Sequence, residues 1–190
     1  MSKTNSTIAS QTRWHRKYHR IIGSVLMIFF LVVAGTGLLL GWKKNSGGLL
    51  LADSRKGSST DLRNWLPLDS LRNLAVTALQ KQVDSTLSPE LDRIDVRPDK
   101  GMVKFTFKHH FEAVQLDGAS GDVLFLEKRR ADWIEKLHDG SLVDHYSGLS
   151  SQPFKLLYTS LLGIGLGFLT ISGFWLWWNP RRIRRRKNQH

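Results

Sequence analysis

The chain has 190 residues, no cysteine and a formal charge of +12. The missing thiols exclude a disulfide framework, a thiolate zinc site, an iron–sulfur cluster, a cysteine nucleophile and CxxCH haem attachment. The pI near 10.3 would point to a nucleic-acid partner if the charge were evenly spread, but it is not.

Residues 1–20 carry Lys3, Arg13, Arg16, Lys17 and Arg20 with no acid, and form a basic N-terminal segment. Residues 21–42, from Ile21 to Trp42, contain no charge at all. That run exceeds the roughly 20 residues a helix needs to cross a hydrocarbon layer of about 30 Å. It is longer than a signal-peptide core and stays apolar past its small residues, so it reads as an uncleaved anchor.

Residues 43–155 form a separate domain in which acids and bases nearly balance. It opens with a Ser/Gly/Asp-rich linker reaching Asp61. Apolar residues at Leu68, Leu71, Leu74, Ala75, Ala78 and Leu79 predict a helix over 67–83. Four strands are predicted next, over 91–96, 102–108, 111–116 and 122–127, the second with Val103, Phe105 and Phe107 on one face. A helix from Arg130 to His138 follows, with Trp133, Ile134 and Leu137 aligned against a membrane surface.

The second uncharged run covers 156–178, and residues 179–190 form a basic tail, RRIRRRK beginning three residues after Trp178. Trp14, Tyr18, Trp42, Trp175, Trp177 and Trp178 flank the two runs as interfacial aromatic belts do. Basic ends around a neutral loop place both termini in the cytoplasm and residues 43–155 outside a bacterial plasma membrane. The tail is then a stop-transfer segment meeting anionic headgroups, and no nucleic-acid partner is expected. The fold class is an α+β membrane protein: two antiparallel transmembrane helices flanking a domain built from a helix and an antiparallel sheet.

Ala34, Gly37 and Gly41 share one face of the first span, and Ser160, Gly163 and Gly167 share one face of the second. Small residues let helices approach closely. These faces either pair with each other or make a homodimer or a contact with another membrane protein. A short internal likeness accompanies them: Thr36-Gly37 lies six residues before Trp42, and Ser172-Gly173 six before Trp178.

Imidazole is the strong ligand left to this chain. His15 and His19, four residues apart on one helical face, suit a small metal ion. They cannot bracket a porphyrin, and His15 reads more simply as part of an interfacial belt. Haem would need His19 from each of two copies, or a pair such as His138 with His145 near the second span. His109, His110 and His190 read as solvated. No Gly-x-Ser-x-Gly, His-Glu-x-x-His or phosphate-binding glycine loop is present.

Gln115-Leu116-Asp117-Gly118-Ala119-Ser120-Gly121-Asp122-Val123 resembles the closing strands of PepSY domains. His19-Arg20-Ile21-Ile22-Gly23 with Thr36-Gly37, then Leu137-His138-Asp139-Gly140, Ser172-Gly173 and Trp177-Trp178, resemble the PepSY-associated transmembrane family, over roughly residues 13 to 187. The chain looks like a small two-span member and has Ser172 where Thr is usual. The resemblance implies iron assimilation, with reduction of ferric iron or a ferric siderophore outside the membrane. Haem b or iron is the cofactor expected with it, the candidate ligands being His19 and His138 from the family's motifs and His145 from the outer-face pair; with no dinucleotide-binding unit in the chain, electrons would come from a partner or a quinone. Two other readings stand beside it: a non-catalytic regulator or inhibitor of an exported peptidase, and an assembly subunit of a membrane complex.

Overall fold

A computed structural model describes residues 3–187, with side chains from 10 to 181. His190 and the side chains of the arginine tail beyond Arg181 lie outside the described residues. Helix α1 (Lys3–Gly41) and helix α5 (Pro153–Lys187) are 39 and 35 residues long. At 1.5 Å per residue both outreach a hydrocarbon layer, so their basic turns project beyond the apolar runs.

Between them, α2 (Leu68–Gln82) begins directly after Pro67, whose fixed φ suits a helix start, with Asp69 in the first turn facing the positive end of the dipole. It buries Leu71, Ala75, Ala78 and Leu79, one stripe of a 3.6-residue period. That stripe covers a meander of four antiparallel strands in the order β1 (Leu91–Arg97), β2 (Met102–Phe107), β3 (Glu112–Asp117), β4 (Val123–Lys128). Val103, Phe105 and Phe107 of β2 and Val114 and Leu116 of β3 complete the core, all without exposed surface.

The opposite face of the sheet is polar and also covered. Lys104 pairs with the buried Glu127 at 2.7 Å, and Gln115 bonds Glu127 at 3.0 Å. The stretch expected to be a linker is loop, but it is docked here: Arg55 donates its backbone N–H to Gln115, and Ser58 donates to Asp117. Asp117 also gathers the Ala119 and Ser120 amides of the β3–β4 turn. Burial alone would raise its carboxyl, but these hydrogen bonds outweigh burial and hold it below the ordinary range.

Two short helices join the sheet to the membrane pair. Helix α3 (Arg130–Asp139) lies against the end of α1 nearest the domain, and α4 (Ser141–Ser147) leads to α5. Gly140 breaks them apart in a left-handed conformation, φ +80°. Any side chain there would also run into Tyr158 of α5, at 2.7 Å.

Helices α1 and α5 run antiparallel along a seam with heptad spacing. Thr12 meets Asn179, His19 meets Ser172, and Leu26 fills the space above Gly165, each pair seven residues from the last. Gly23 faces Leu169 in the same seam. The expected pairing of the two small-residue faces with each other is thereby corrected, and their alternative, a homodimer or a contact with another membrane protein, is unaffected. Ala34 and Ser160 are exposed, and a Cβ on Gly41, Gly163 or Gly167 would meet nothing within 4 Å. Gly37 faces His138 of α3 instead of α5. The glycine that admits the partner helix is Gly165, two positions from either predicted one.

Candidate functional site

Two imidazoles cross between helices and end on matching hydroxyl–glycine pairs. His138 leaves α3 and places Nδ1 2.9 Å from Thr36 Oγ1 on α1. His19 leaves α1 and places Nδ1 2.8 Å from Ser172 Oγ on α5. In each case the ring's Cε1 lies 3.5 Å from where a Cβ on the next residue, Gly37 or Gly173, would stand. A Cβ at either glycine would therefore just touch the ring at ordinary contact distance.

Thr36 donates to the Val32 carbonyl at 2.6 Å, and Ser172 Oγ lies 3.2 Å from the Leu169 carbonyl. A hydroxyl that donates to its own helix accepts from Nδ1–H, the tautomer that leaves the lone pair on Nε2. Neither Nε2 has a hydrogen-bond partner among the described residues. A hydrogen bond of this kind within a membrane contributes about 0.6 kcal/mol on average. That is too little to hold helices together, so what the contact chiefly sets is the direction of the ring. A ring nitrogen held by a hydrogen bond while the other offers its lone pair is the arrangement metal-ligating histidines adopt. The donor set therefore fits one imidazole ligand at each end of the membrane pair. The 17 residues of α1 between His19 and Thr36 separate the two units by about 25 Å.

Apolar cavities adjoin the pair: one of about 470 Å³ bordered by Phe29, Val32, Leu137 and Tyr158, another of about 550 Å³ bordered by Val25, Leu26 and Leu161.

The remaining histidines behave differently. His15 is half-buried with Trp175 at 5.4 Å and Trp14 edge-on at 5.0 Å, and its buried Nδ1 is unpartnered. It shares the α5-facing side of α1 with His19, but no group of three or more potential metal ligands forms among the described residues. His145 packs on Phe111 at 4.8 Å while His138 is bound to Thr36, so the two rings of that candidate pair take separate partners. Burial holds the His145 imidazole below its ordinary value. His109 meets Glu90 at the surface. His110 is not simply solvated: it donates Nε2–H to Ser88 O at 3.1 Å and accepts the Glu112 amide at Nδ1, with Phe107 stacked on it. Burial lowers its proton affinity as well.

Sequence reasoning passed over Thr36 and Ser172 as partners of the histidines, although the repeated hydroxyl–glycine dipeptide was their trace. It also missed Asp144 on α4. That buried carboxylate accepts the backbone N–H groups of Phe154 at 3.1 Å and Lys155 at 2.8 Å, capping α5 where it enters the membrane. Lys155 in turn reaches Asp139 at 2.7 Å.

Two long apolar helices around an α+β domain define a membrane protein whose surroundings are a lipid bilayer. Residues 16–190 match the PepSY-associated TM region, and the chain belongs to that family. Neither a curated protein nor a solved structure matches it.

Proposed function

We propose that this chain is a redox protein of iron assimilation that reduces ferric iron or a ferric siderophore at the outer face of a bacterial plasma membrane. The single observation carrying the reading is the pair of imidazoles held through Nδ1 at Thr36 and Ser172, each with Nε2 unpartnered among the described residues. The basic ends around a balanced domain support cytoplasmic termini and a domain outside.

Haem b bound at these levels would supply one-electron chemistry linking a membrane donor such as a quinone to ferric iron. His19 and His138 would hold the group, each through its Nε2, with Thr36 and Ser172 aiming the rings. A second imidazole at either level would be the same residue of a second copy. One observation favours a second reading, a non-catalytic regulator or a complex subunit: each level offers only one such imidazole per chain.

A reduced-minus-oxidised absorbance spectrum of the detergent-solubilised protein from haem-replete cells separates the two. A b-type spectrum that weakens in His19→Ala and His138→Ala, at wild-type membrane abundance, supports the redox reading. A featureless wild-type spectrum overturns it and leaves the regulator or subunit.

A further inference from the structure

At the junction of the domain and the membrane pair lies a cavity of about 480 Å³, separate from both histidine units. One wall is apolar: Leu39 from the end of α1, Leu50, Ile134 and the half-exposed Trp133 of α3. Three consecutive basic residues, Lys128, Arg129 and Arg130, border it where β4 passes into α3; they line it with their carbon stems, and the charged heads of the exposed Lys128 and Arg130 stand at its rim.

Arg129 is only 7% exposed. Its two terminal nitrogens are used: one meets Asp132 at 2.8 Å, the other the carbonyls of Phe107 and His110, each at 2.8 Å. Its Nε–H is buried and has no partner. With no surface open to a ligand, Arg129 ties the domain together beside the cavity, and the accessible cations are Lys128 and Arg130. The local acids do not cancel this cluster. Asp132 is committed to Arg129, and Glu112 stands across the β3–β4 ladder from Lys128. Arg130 makes no ion pair among the described residues and spends one weak bond, 3.3 Å, on the Leu49 carbonyl.

We infer that this cavity binds an anionic phospholipid of the leaflet on the domain side, its phosphate at the exposed Lys128 and Arg130 on the rim and its acyl chain along Leu39 and Trp133. A soluble anion would use the cations but not the apolar wall; a neutral lipid would use the wall alone. The joint demand, at the depth where α1 leaves the membrane, selects a lipid carrying net negative charge. The inference is independent of haem or iron.

The test uses the full chain, delipidated in an uncharged detergent, with dioctanoyl phosphatidylglycerol, dioctanoyl phosphatidylcholine and inorganic phosphate as separate probes. Binding is read by native mass spectrometry and by thermal shift. Phosphatidylglycerol is expected to be retained and to raise the unfolding midpoint, phosphatidylcholine to bind more weakly, and phosphate alone to do nothing. Arg130→Gln should weaken phosphatidylglycerol binding about fivefold, the worth of one basic residue at an anionic surface. Its lipid-free midpoint should stay at the wild-type value, because that side chain is exposed. Arg129 is kept, since it holds two carbonyls of the domain. Equal binding of the two lipids, a phosphate shift matching that of phosphatidylglycerol, or an unchanged affinity in Arg130→Gln would each overturn the inference.

Discussion

The two imidazole units, one at each end of the membrane pair, use the same parts and differ in how firmly those parts are held. At the domain end Thr36 donates to its own helix at 2.6 Å, and His138 arrives on a separate short helix whose direction is set by Gly140. At the far end Ser172 donates at 3.2 Å, and His19 belongs to the long helix itself. In the first unit the hydroxyl is the better anchored and the histidine comes from a separate helix; in the second the histidine belongs to the membrane helix itself and the hydroxyl makes the longer bond. A repeated chemical device therefore need not be a repeated piece of structure.

The largest effect should come from the carrier of His138. Gly140→Val forces a branched residue into the left-handed region and into Tyr158. It should destabilise the domain–membrane junction by about 3 kcal/mol or more, adding backbone strain to overpacking. Gly148→Ala has a similar φ, +67°, but nothing within 4 Å of its Cβ, and should cost only the backbone term, about 1–2 kcal/mol. Thermal unfolding in detergent compares the two; equal losses would mean that Tyr158 exerts no constraint.

Gly165→Leu tests the seam that carries the far unit. Leu26 occupies the space the new side chain needs, so the variant should lose about 1–3 kcal/mol of helix association. Gly163→Leu and Gly167→Leu should be silent. Because the chain has no cysteine, Gly23→Cys with Leu169→Cys supplies a disulfide reporter of the seam free of background. Cross-linking that survives Gly165→Leu and fails in Gly163→Leu would reverse the assignment of faces.

The hydroxyls come next. Thr36→Val keeps shape and removes the acceptor, and should lower retention of a histidine-held cofactor about tenfold or more, as loss of an outer-shell partner does. Ser172→Ala should cost less, because that hydroxyl is less well anchored, and Ser172→Thr should tighten the far unit. Cofactor content per folded protein, read from the absorbance spectrum, ranks the three variants.

The smallest effect belongs to His110, the contrasting case with both ring nitrogens satisfied inside the domain. Its folded proton affinity lies below the unfolded one, so the unfolded chain takes up the proton first as pH falls. Its contribution is whole above about pH 6.5, the ordinary histidine value, and is lost as pH drops from there through the lower folded value. His110→Gln should flatten the fall of the unfolding midpoint below about pH 6.5. Asp117 and Asp139, both held below the ordinary carboxylate range, act only at lower pH, while His145, also lowered by burial, acts in the same window and is common to both proteins compared.

The strands and α2 were legible because each buries one face, so a period of 2 or 3.6 is written into Val103, Phe105 and Phe107 or Leu71, Ala75 and Ala78. The membrane helices were legible as spans but not as surfaces. Leu and Ile surround α1 on every side, and lipid rewards them all, so no periodicity marks the side that meets α5. Glycine content misled for the same reason: Gly163 and Gly167 satisfy a spacing, while Gly165 satisfies a neighbour. His19 and His138 carried the family motif and could be singled out as residues. What each of them touches depends on partners 153 and 102 positions away, which no local pattern encodes.

Asp144 gives the junction a mechanical character. Its carboxylate grips the first turn of α5 from the domain side, and Lys155 one residue later is moored to Asp139 at the end of α3. The second crossing is therefore clamped to the domain at two points and is not tethered by a slack strand. A rigid clamp of this sort works as a lever: a tilt of α5 within the bilayer must turn α3 and α4 with it, and His138 rides on α3.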